Sequence, residues 1–195
     1  MNTSEQTRPP AMLIVTMEPP ADLEDEFNDW YDLEHFPQRV ALPGFAASSR
    51  WVCIEGWPRY LALYDLASVD AVKTPEYLAC SGPGATPWTR RVVARTLGRQ
   101  RIVAEEIGAV GRPGAVSRLL GARFPSAGQD VAQALLAVRV PGLQSIRCLQ
   151  SEQEQWTIAT FARPVLLADL VEAFGTAAGV GATLFNLYVP YFRGG

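Results

Sequence analysis

Two Pro-Gly turns that stand 98 residues apart, at Gly44 and Gly142, constrain the fold of this chain more than any other feature. Each turn is followed by an apolar residue, giving Pro43-Gly44-Phe45 and Pro141-Gly142-Leu143. Proline and glycine end helices and open turns, so a turn that recurs at this spacing divides the 195 residues into two comparable units. We therefore interpret the chain as a duplicated unit of about 95 residues.

Strand and helix patterns alternate in the first half. Apolar or β-branched runs bounded by turn residues predict four strands, at 11–17, 46–54, 60–65 and a closing strand formed by 89–97 and 100–105. Two helices are predicted, at 23–40 with Asp22 as N-cap and at 68–80. This order is βαββαβ, the ferredoxin-like split unit.

The second half repeats the order of the first. Its predicted strands are 116–124, 144–149, 156–161 and 183–189, and its predicted helices are 128–140 and 165–178. The resulting organisation is a flexible N-terminus at 1–10, a first repeat at 11–107, a Gly/Pro-rich linker at 108–114 and a second repeat at 115–195.

Only the first half carries a stretch that suggests chemistry. Phe27-Asn28-Asp29-Trp30-Tyr31-Asp32-Leu33-Glu34-His35-Phe36-Pro37 contains His35, the single histidine of the chain. Because imidazole titrates near neutral pH, His35 is the best candidate for proton chemistry. The corresponding helix of the second half is a plain Ala/Leu/Val helix. We therefore expect the first repeat to bear the site and the second, degenerate repeat to complete the architecture.

Composition excludes several classes of function. The net charge is −3, and Lys73 is the only lysine among 17 basic residues, so a nucleic-acid interface is not expected. The three cysteines lack C-x-x-C spacing, and one histidine cannot build a multi-histidine metal site, so no metal is expected. With no long apolar run and no signal-peptide pattern, neither a membrane span nor secretion is expected, and a cytoplasmic location follows.

Three polar side chains of the first helix lie in a row on a helical wheel. Asn28, Tyr31 and His35 are spaced i, i+3, i+7 and fall on one edge beside the apolar stripe. We predict that His35 is catalytic as a general acid/base, with Tyr31 and Asn28 holding the substrate oxygen. The alternative is that His35 only caps the C-terminus of the helix as an imidazolium.

The apolar stripe itself contains Phe27, Trp30 and Glu34. A carboxylate in that position must be paired, and Arg50 on the second strand is its expected partner. These four residues are predicted to contact the substrate, although structural roles fit each of them: core packing for Phe27 and Trp30, an ion pair for Glu34 and Arg50.

The chain resembles the dimeric α/β-barrel superfamily and, within it, the EthD-like proteins. The matching residues are Glu26-Phe27-Asn28-x-Trp30-Tyr31-x-x-Glu34-His35-x-Pro37, then Pro43-Gly44-Phe45, then Arg50-Trp51. The resemblance covers about residues 11–105. It implies a ligand pocket between each sheet and its own helices, with His35 facing that pocket. Such domains usually pair two chains, so the expected fold class is α+β, two ferredoxin-like repeats forming an intrachain barrel, with a further homodimer left open.

Relatives in this superfamily include polyketide cyclases, muconolactone isomerases, cofactor-free monooxygenases and haem enzymes. We accordingly expect a cofactor-independent enzyme of the lyase, isomerase or cyclase type. It would use His35 as general acid/base on an aromatic or polyketide-like carbonyl or hydroxyl compound. Two alternatives remain: a haem-dependent or cofactor-free oxygenase, with His35 as axial ligand in the haem case, and a non-catalytic ligand-binding module.

Overall fold

Eight antiparallel strands close into one barrel in the order β1-β3-β2-β8-β5-β7-β6-β4. The computed structural model describes residues 8–125 and 128–192. The first four strands are β1 (Ala11–Glu18), β2 (Phe45–Glu55), β3 (Tyr60–Leu66) and β4 (Leu97–Gly111). The second four are β5 (Arg118–Pro125), β6 (Leu143–Gln150), β7 (Glu154–Phe161) and β8 (Leu184–Pro190).

The barrel consists of two sheets with the same strand order. The first repeat is ordered β4-β1-β3-β2 and the second β8-β5-β7-β6, and the two are joined where β2 pairs with β8 and β4 pairs with β6. This is the order of two ferredoxin-like units facing each other. The predicted fold class, an intrachain pseudo-dimer of two such repeats, is confirmed.

The two Pro-Gly turns adopt the same geometry in both repeats. Gly44 and Gly142 have φ of +81° and +85°, a region that residues with a Cβ rarely enter. The carbonyl of Gly44 accepts the N–H of Ala67, and the carbonyl of Gly142 accepts that of Ala162, both at 2.9 Å. The turn that suggested a duplication in the sequence is therefore the same structural turn twice.

Six α-helices cover the outer faces of the two sheets. They are α1 (Glu24–Trp30), α2 (Phe36–Val40), α3 (Pro75–Ala79), α4 (Pro87–Arg95), α5 (Gly128–Leu136) and α6 (Leu167–Ala178). A π-helical turn (Tyr31–His35) joins α1 to α2. None of the helices within residues 8–125 and 128–192 is long and apolar enough to cross a membrane.

Several predicted elements differ from those observed. The first helix opens with a 3-10 turn, Ala21–Leu23, so Asp22 lies inside the turn and is not an N-cap. The predicted helix 68–80 is divided before Pro75 into a 3-10 turn, Val69–Lys73, and α3. The chain between 68 and 80 must break there because proline lacks the N–H that a continuous helix needs.

The prediction of a strand at 89–97 is wrong, because α4 occupies most of it. Thr86 caps this helix by accepting the N–H of Thr89 at 3.0 Å, and Pro87 stands at its first position. Threonine as N-cap followed by proline is a strong helix start, and it overrides the β-branched content of the segment.

The predicted linker 108–114 begins too early. Strand β4 continues to Gly111, and its residues 108–111 pair with β6 across the second seam of the barrel. The first part of β4 pairs with β1, so one 15-residue strand belongs to both sheets. Of the expected flexible N-terminus 1–10, residues 1–7 lie outside the described residues.

Buried apolar side chains form three layers. The barrel interior is filled by residues from both repeats, among them Trp51 and Trp156. Each outer sheet face packs against its own helices in a separate cluster, one including Phe27 and Trp30 and the other including Leu135 and Phe174. The stretch singled out in the sequence therefore lies outside the barrel, between the first sheet and its helices.

Candidate functional site

The π-helical turn Tyr31–His35 places His35. The N–H of Phe36 bonds to the carbonyl of Tyr31, five residues earlier, which is the π-helical pattern. The turn stands just before Pro37, whose ring would clash with the carbonyl four residues back in a regular helix. The helix thus passes through Pro37 to Val40 instead of ending there.

The extra residue in this turn shifts the phase of the helix by one position. The ring of His35 therefore stacks on Trp30, with centroids 4.4 Å apart, and meets the Tyr31 ring edge-on at 5.3 Å. His35 joins the buried stripe that the wheel assigned to Glu34. The reading of His35 as a C-terminal cap also fails, since the helix continues beyond it.

The prediction that Asn28, Tyr31 and His35 lie in one row is therefore wrong, because their side chains point to different parts of the structure. Asn28 turns towards β2 and β3, where it donates to the Tyr60 hydroxyl at 3.0 Å and accepts from Arg50 at 2.8 Å. Tyr31 is buried behind the imidazole. Of the three, His35 alone lines the cavity described next.

A cavity of about 450 Å³ lies between the outer face of the first sheet and the helices. We call it the His35 cavity. Leu13, Val15 and Met17 of β1 form its apolar floor, and Tyr64 of β3 adds an aromatic ring. Residues of α4 and of the 81–85 loop form the opposite wall. This size and lining are typical of a small-molecule site, and the position is the one that the family resemblance implies.

His35 is neutral in this cavity. Burial lowers the pKa of its imidazole to about 3, and the positive charges of Arg39, Arg99 and Arg50 lower it further in the same direction. Nδ1 is sealed from solvent and has no hydrogen-bond partner within the described parts of the chain. A neutral imidazole has a ring nitrogen that can accept a proton, but the same burial and positive charge make it a weak base unless a bound molecule supplies negative charge beside the ring.

Like Tyr77, Tyr64 is a phenol of the cavity wall. It lines the cavity, and its hydroxyl is buried without a partner in hydrogen-bonding geometry among residues 8–125 and 128–192. Burial raises the pKa of Tyr64 and of Tyr31, and each hydroxyl influences the pKa of the other. Both phenols are therefore protonated, and Tyr64, which lines the cavity, is available as a donor.

Glu34 is not paired with Arg50, contrary to the prediction. Its Oε1 accepts the hydroxyls of Thr86 at 2.6 Å and Thr89 at 3.0 Å, both at the start of α4. Trp30 donates its indole N–H to Thr89 at 3.0 Å. The phase shift moves Glu34 off the apolar stripe and towards α4, where it joins the first helix to the opposite wall of the cavity.

Arg50 instead pairs with Asp32, at 2.5 Å, and with Asn28. Its guanidinium carbon lies 4.1 Å from the centre of the Tyr31 ring and 4.0 Å from that of Tyr191, which follows β8. Arg50 therefore fastens the helix to β2 and to the second repeat, outside the His35 cavity. Phe27 and Trp30 are fully buried and pack in the core, as their alternative reading stated.

Four arginines of the site were not predicted from the sequence. Arg39, Arg90, Arg99 and Arg101 all line the His35 cavity. Arg39 follows His35 by four residues on one helix, and Arg99 and Arg101 alternate along β4 and so share one face. Each spacing is visible in the sequence. Only the pairing of β4 with β1 shows that the four arginines belong to one cavity.

Solved structures share this architecture over nearly their whole length. An anthrone oxidase-like protein superposes with a TM-score of 0.66 at 12% identity, covering 96% of this chain and 93% of that one. A candidate chlorite dismutase gives 0.62 at 9% identity over 95% and 96% of the two chains. A candidate monooxygenase from Lactobacillus acidophilus gives 0.58 at 9% identity, over 94% of each.

This chain has the dimeric α/β-barrel fold. The likeness at these identities concerns the fold, which here is closed within one polypeptide. No protein-family model and no curated protein matches the sequence. The narrower resemblance to EthD-like proteins, like the roles assigned to single residues, stays a prediction. Residues 8–125 and 128–192 contain no group of three or more His, Cys, Asp or Glu side chains suited to a metal ion.

Proposed function

We propose that this protein is an enzyme that oxidises a small aromatic molecule with dioxygen, starting from a proton transfer to His35. The observation that carries the proposal is a neutral, buried imidazole in an apolar cavity surrounded by cations. No resident cofactor is needed for this first step.

The reaction begins at an acidic C–H group of the substrate, such as a methylene between two aromatic rings and conjugated with a carbonyl. His35 takes the proton, and the carbanion is delocalised onto the carbonyl oxygen, where nearby guanidinium groups and a phenol stabilise the negative charge. The anion reduces dioxygen and combines with it, and loss of water leaves a ketone. Overall, CH2 and O2 give C=O and H2O, with dioxygen as the oxidant.

Names of structural neighbours favour oxidation over our first expectation. The solved structures with this fold include proteins named as anthrone oxidase-like and as candidate monooxygenases. A lyase, isomerase or cyclase would use the same proton transfer to His35 but would consume no dioxygen. It is therefore kept as the second candidate, and oxygen uptake separates the two.

Haem is the cofactor alternative, because a histidine can supply one axial ligand. A ligating histidine almost always donates its other ring N–H to a carboxylate, a carbonyl or water. Nδ1 of His35 is buried without such an acceptor, and the three charges that act on the ring are positive. These residues do not fit an axial haem ligand, so no step is derived through haem; the absence of a Soret band after mixing with hemin would support this.

The test uses the purified protein with anthrone and 1,8-dihydroxyanthrone as probes. Oxygen uptake and the absorbance of the quinone product are followed together, over the background without protein. We expect His35→Gln to lower the rate by about 100-fold or more, because glutamine cannot accept the proton. Gln129→Ala, an exposed change on α5, is the matched control and should retain full activity.

Three results would contradict the proposal. One is equal oxygen uptake by wild type and His35→Gln, which would remove His35 from the reaction. Another is turnover of the probes that continues without dioxygen, which would favour the lyase or isomerase type. The third is tight binding of the probes without any turnover, as expected of a binding module.

A further inference from the structure

The His35 cavity is lined by four arginines and by no aspartate or glutamate. They are Arg39 from α2, Arg90 from α4, and Arg99 and Arg101 from β4. The whole chain carries a net charge of −3, so this concentration of positive charge is local. Three separate elements bring these cations to one cavity.

None of the four guanidinium groups is neutralised by a carboxylate of the described residues. Arg39 donates to the carbonyl of Cys80 at 2.9 Å, Arg90 to that of Ala85 at 2.6 Å, and Arg101 to the Tyr77 hydroxyl at 2.8 Å. The guanidinium of Arg99 donates no hydrogen bond to any residue within 8–125 and 128–192. By contrast, Arg147 is paired with both Asp65 and Glu106.

The cavity is apolar at its floor and positively charged at its opening. Arg90, Arg99 and Arg101 are exposed and stand at the opening, whereas Leu13, Val15 and Met17 form a buried apolar floor on β1. Arg101 lies opposite Val15 in the pairing of β4 with β1. A ligand that satisfies both ends must be apolar at one end and anionic at the other.

The geometry of the arginine side chains indicates which kinds of anion the cavity can bind. The planar guanidinium presents donors in a fork that matches two oxygens of a carboxylate or of a phosphate, and the apolar floor beside the arginines favours an anion that carries an aromatic ring over inorganic phosphate. Arg99 and Arg101, two residues apart on one strand face, can present two such forks side by side. Burial is the main cause of the low pKa of His35, and a bound anion would offset the second cause, the positive charge of the arginines, and so raise the pKa of the imidazole.

We propose that the ligand of the His35 cavity is an aromatic carboxylic acid, with its carboxylate held by Arg99 and Arg101 at the opening and its ring on the apolar floor. The substrate class of the oxidation proposed above is thereby narrowed to anionic aromatic compounds. That the bound acid is a substrate rests on the proposed oxidation. That it binds in the cavity does not, because binding is measured without turnover.

The experiment compares 2-naphthoate with its uncharged amide by calorimetric titration of the full-length protein. Naphthoate should bind at least about tenfold more tightly than the amide. Arg99→Gln and Arg101→Gln should each weaken naphthoate binding about tenfold and leave amide binding unchanged, since one charge-assisted hydrogen bond is lost. Arg112→Gln removes the same charge from an exposed position outside the cavity and should change neither affinity.

A competition experiment with inorganic phosphate tests whether the apolar floor contributes to ligand binding. If phosphate displaces naphthoate at equal concentration, the site holds any anion and the inference is overturned. Equal affinities for naphthoate and its amide, or an effect of Arg112→Gln as large as that of Arg99→Gln, would also overturn it.

The two proposals fail separately. A protein that oxidises anthrone through His35 but shows no preference for naphthoate keeps its proposed function and loses the anionic substrate. A protein that prefers naphthoate through Arg99 and Arg101 but never consumes dioxygen keeps the anion site and loses the oxidation.

Discussion

At the scale of single residues, His35 is defined by what surrounds its ring. Trp30 and Tyr31 cover it on the helix side, and Arg39, Arg50 and Arg99 contribute positive charge. Burial and like charge both oppose protonation, so the imidazole stays neutral far below the pH at which a free histidine becomes charged. His35 is therefore neutral at physiological pH and cannot act as an imidazolium donor, and it becomes a stronger base only when a negative charge beside the ring stabilises its protonated form.

This environment predicts how stability depends on pH. In the unfolded chain His35 titrates near pH 6.5, whereas in the folded protein its pKa is about 3. Between these values the unfolded state binds one proton more, so the free energy of unfolding decreases as pH falls from 6.5 towards 3 and is unaffected by His35 above that window. We expect His35→Gln to flatten this part of the stability profile, measured by urea unfolding at pH 4, 5 and 7.

The titration can be observed directly because the chain has a single histidine. In a 15N-histidine-labelled sample the ring signals should remain those of a neutral imidazole at pH 5. The groups nearest to the ring, Tyr31 and Tyr64, stay protonated in this range, since burial raises both pKa values. A histidine signal that titrates with a midpoint near 6.5 in folded protein would show that the ring is solvated and would contradict the buried, uncharged imidazole described here.

At the scale of elements, the cavity depends on the contact between the first helix and α4. Glu34 accepts two threonine hydroxyls at the start of α4, and one of them, Thr86, is also the N-cap of that helix. A carboxylate at a helix N-terminus also interacts favourably with the helix dipole. These polar contacts lie beside the cavity and add to the apolar packing of Val92 of α4 against Phe27 and Trp30 of the first helix.

A double-mutant cycle tests this contact. Thr86→Ala should lower the free energy of unfolding by about 1–2 kcal/mol, because it removes both the cap and the bond to Glu34. Glu34→Gln alone should cost about 1 kcal/mol, and the double variant should cost less than the sum, since the two changes remove one shared interaction. Thr74→Ala, which removes the cap of α3 only, is the control and should be additive with Glu34→Gln. Strict additivity of Thr86→Ala and Glu34→Gln would contradict the contact.

The sequence predicted elements where local signals act alone. Strand patterns and the Pro-Gly turns placed seven of the eight strands close to their positions, because burial on the two faces of a sheet leaves a regular pattern. The segment 89–97 was assigned by its β-branched residues, while the signal that decides it, Thr86-Pro87, lies just outside. The π-helical turn was not predicted, because the helical wheel assumes a regular α-helix. The predicted positions of His35 and Glu34 relative to the apolar stripe were wrong for that reason.

At the scale of the whole molecule, strand β4 joins the two repeats. It pairs with β1 along its first part and with β6 along its last, while β2 and β8 form the other seam. The barrel interior is filled from both sides, so neither sheet can keep its inner face covered without the other. The repeats should therefore unfold as one cooperative unit.

Leu135→Ala in the second repeat tests this cooperativity. Leu135 lies on the buried face of α5, so its truncation should lower stability by about 2–5 kcal/mol. We expect the urea midpoint reported by the His35 ring signal, in the other repeat, to fall together with the midpoint reported by circular dichroism. Leu166→Ala, at a residue 66% exposed, should leave both midpoints unchanged. A His35 midpoint that keeps its wild-type value would mean that the repeats unfold independently.

Because the barrel closes within one chain, its two halves can accumulate different mutations. In a barrel made from two identical chains, every mutation appears twice, and a change that improves packing on one side alters the site on the other. Here the layer beneath α5 and α6 holds Leu135 and Phe174 where the first repeat leaves room for a ligand. The second half is free to accumulate stabilising mutations, and these can offset the cost of keeping four arginines without carboxylate partners, and an imidazole with an unpartnered Nδ1, around a cavity in the first.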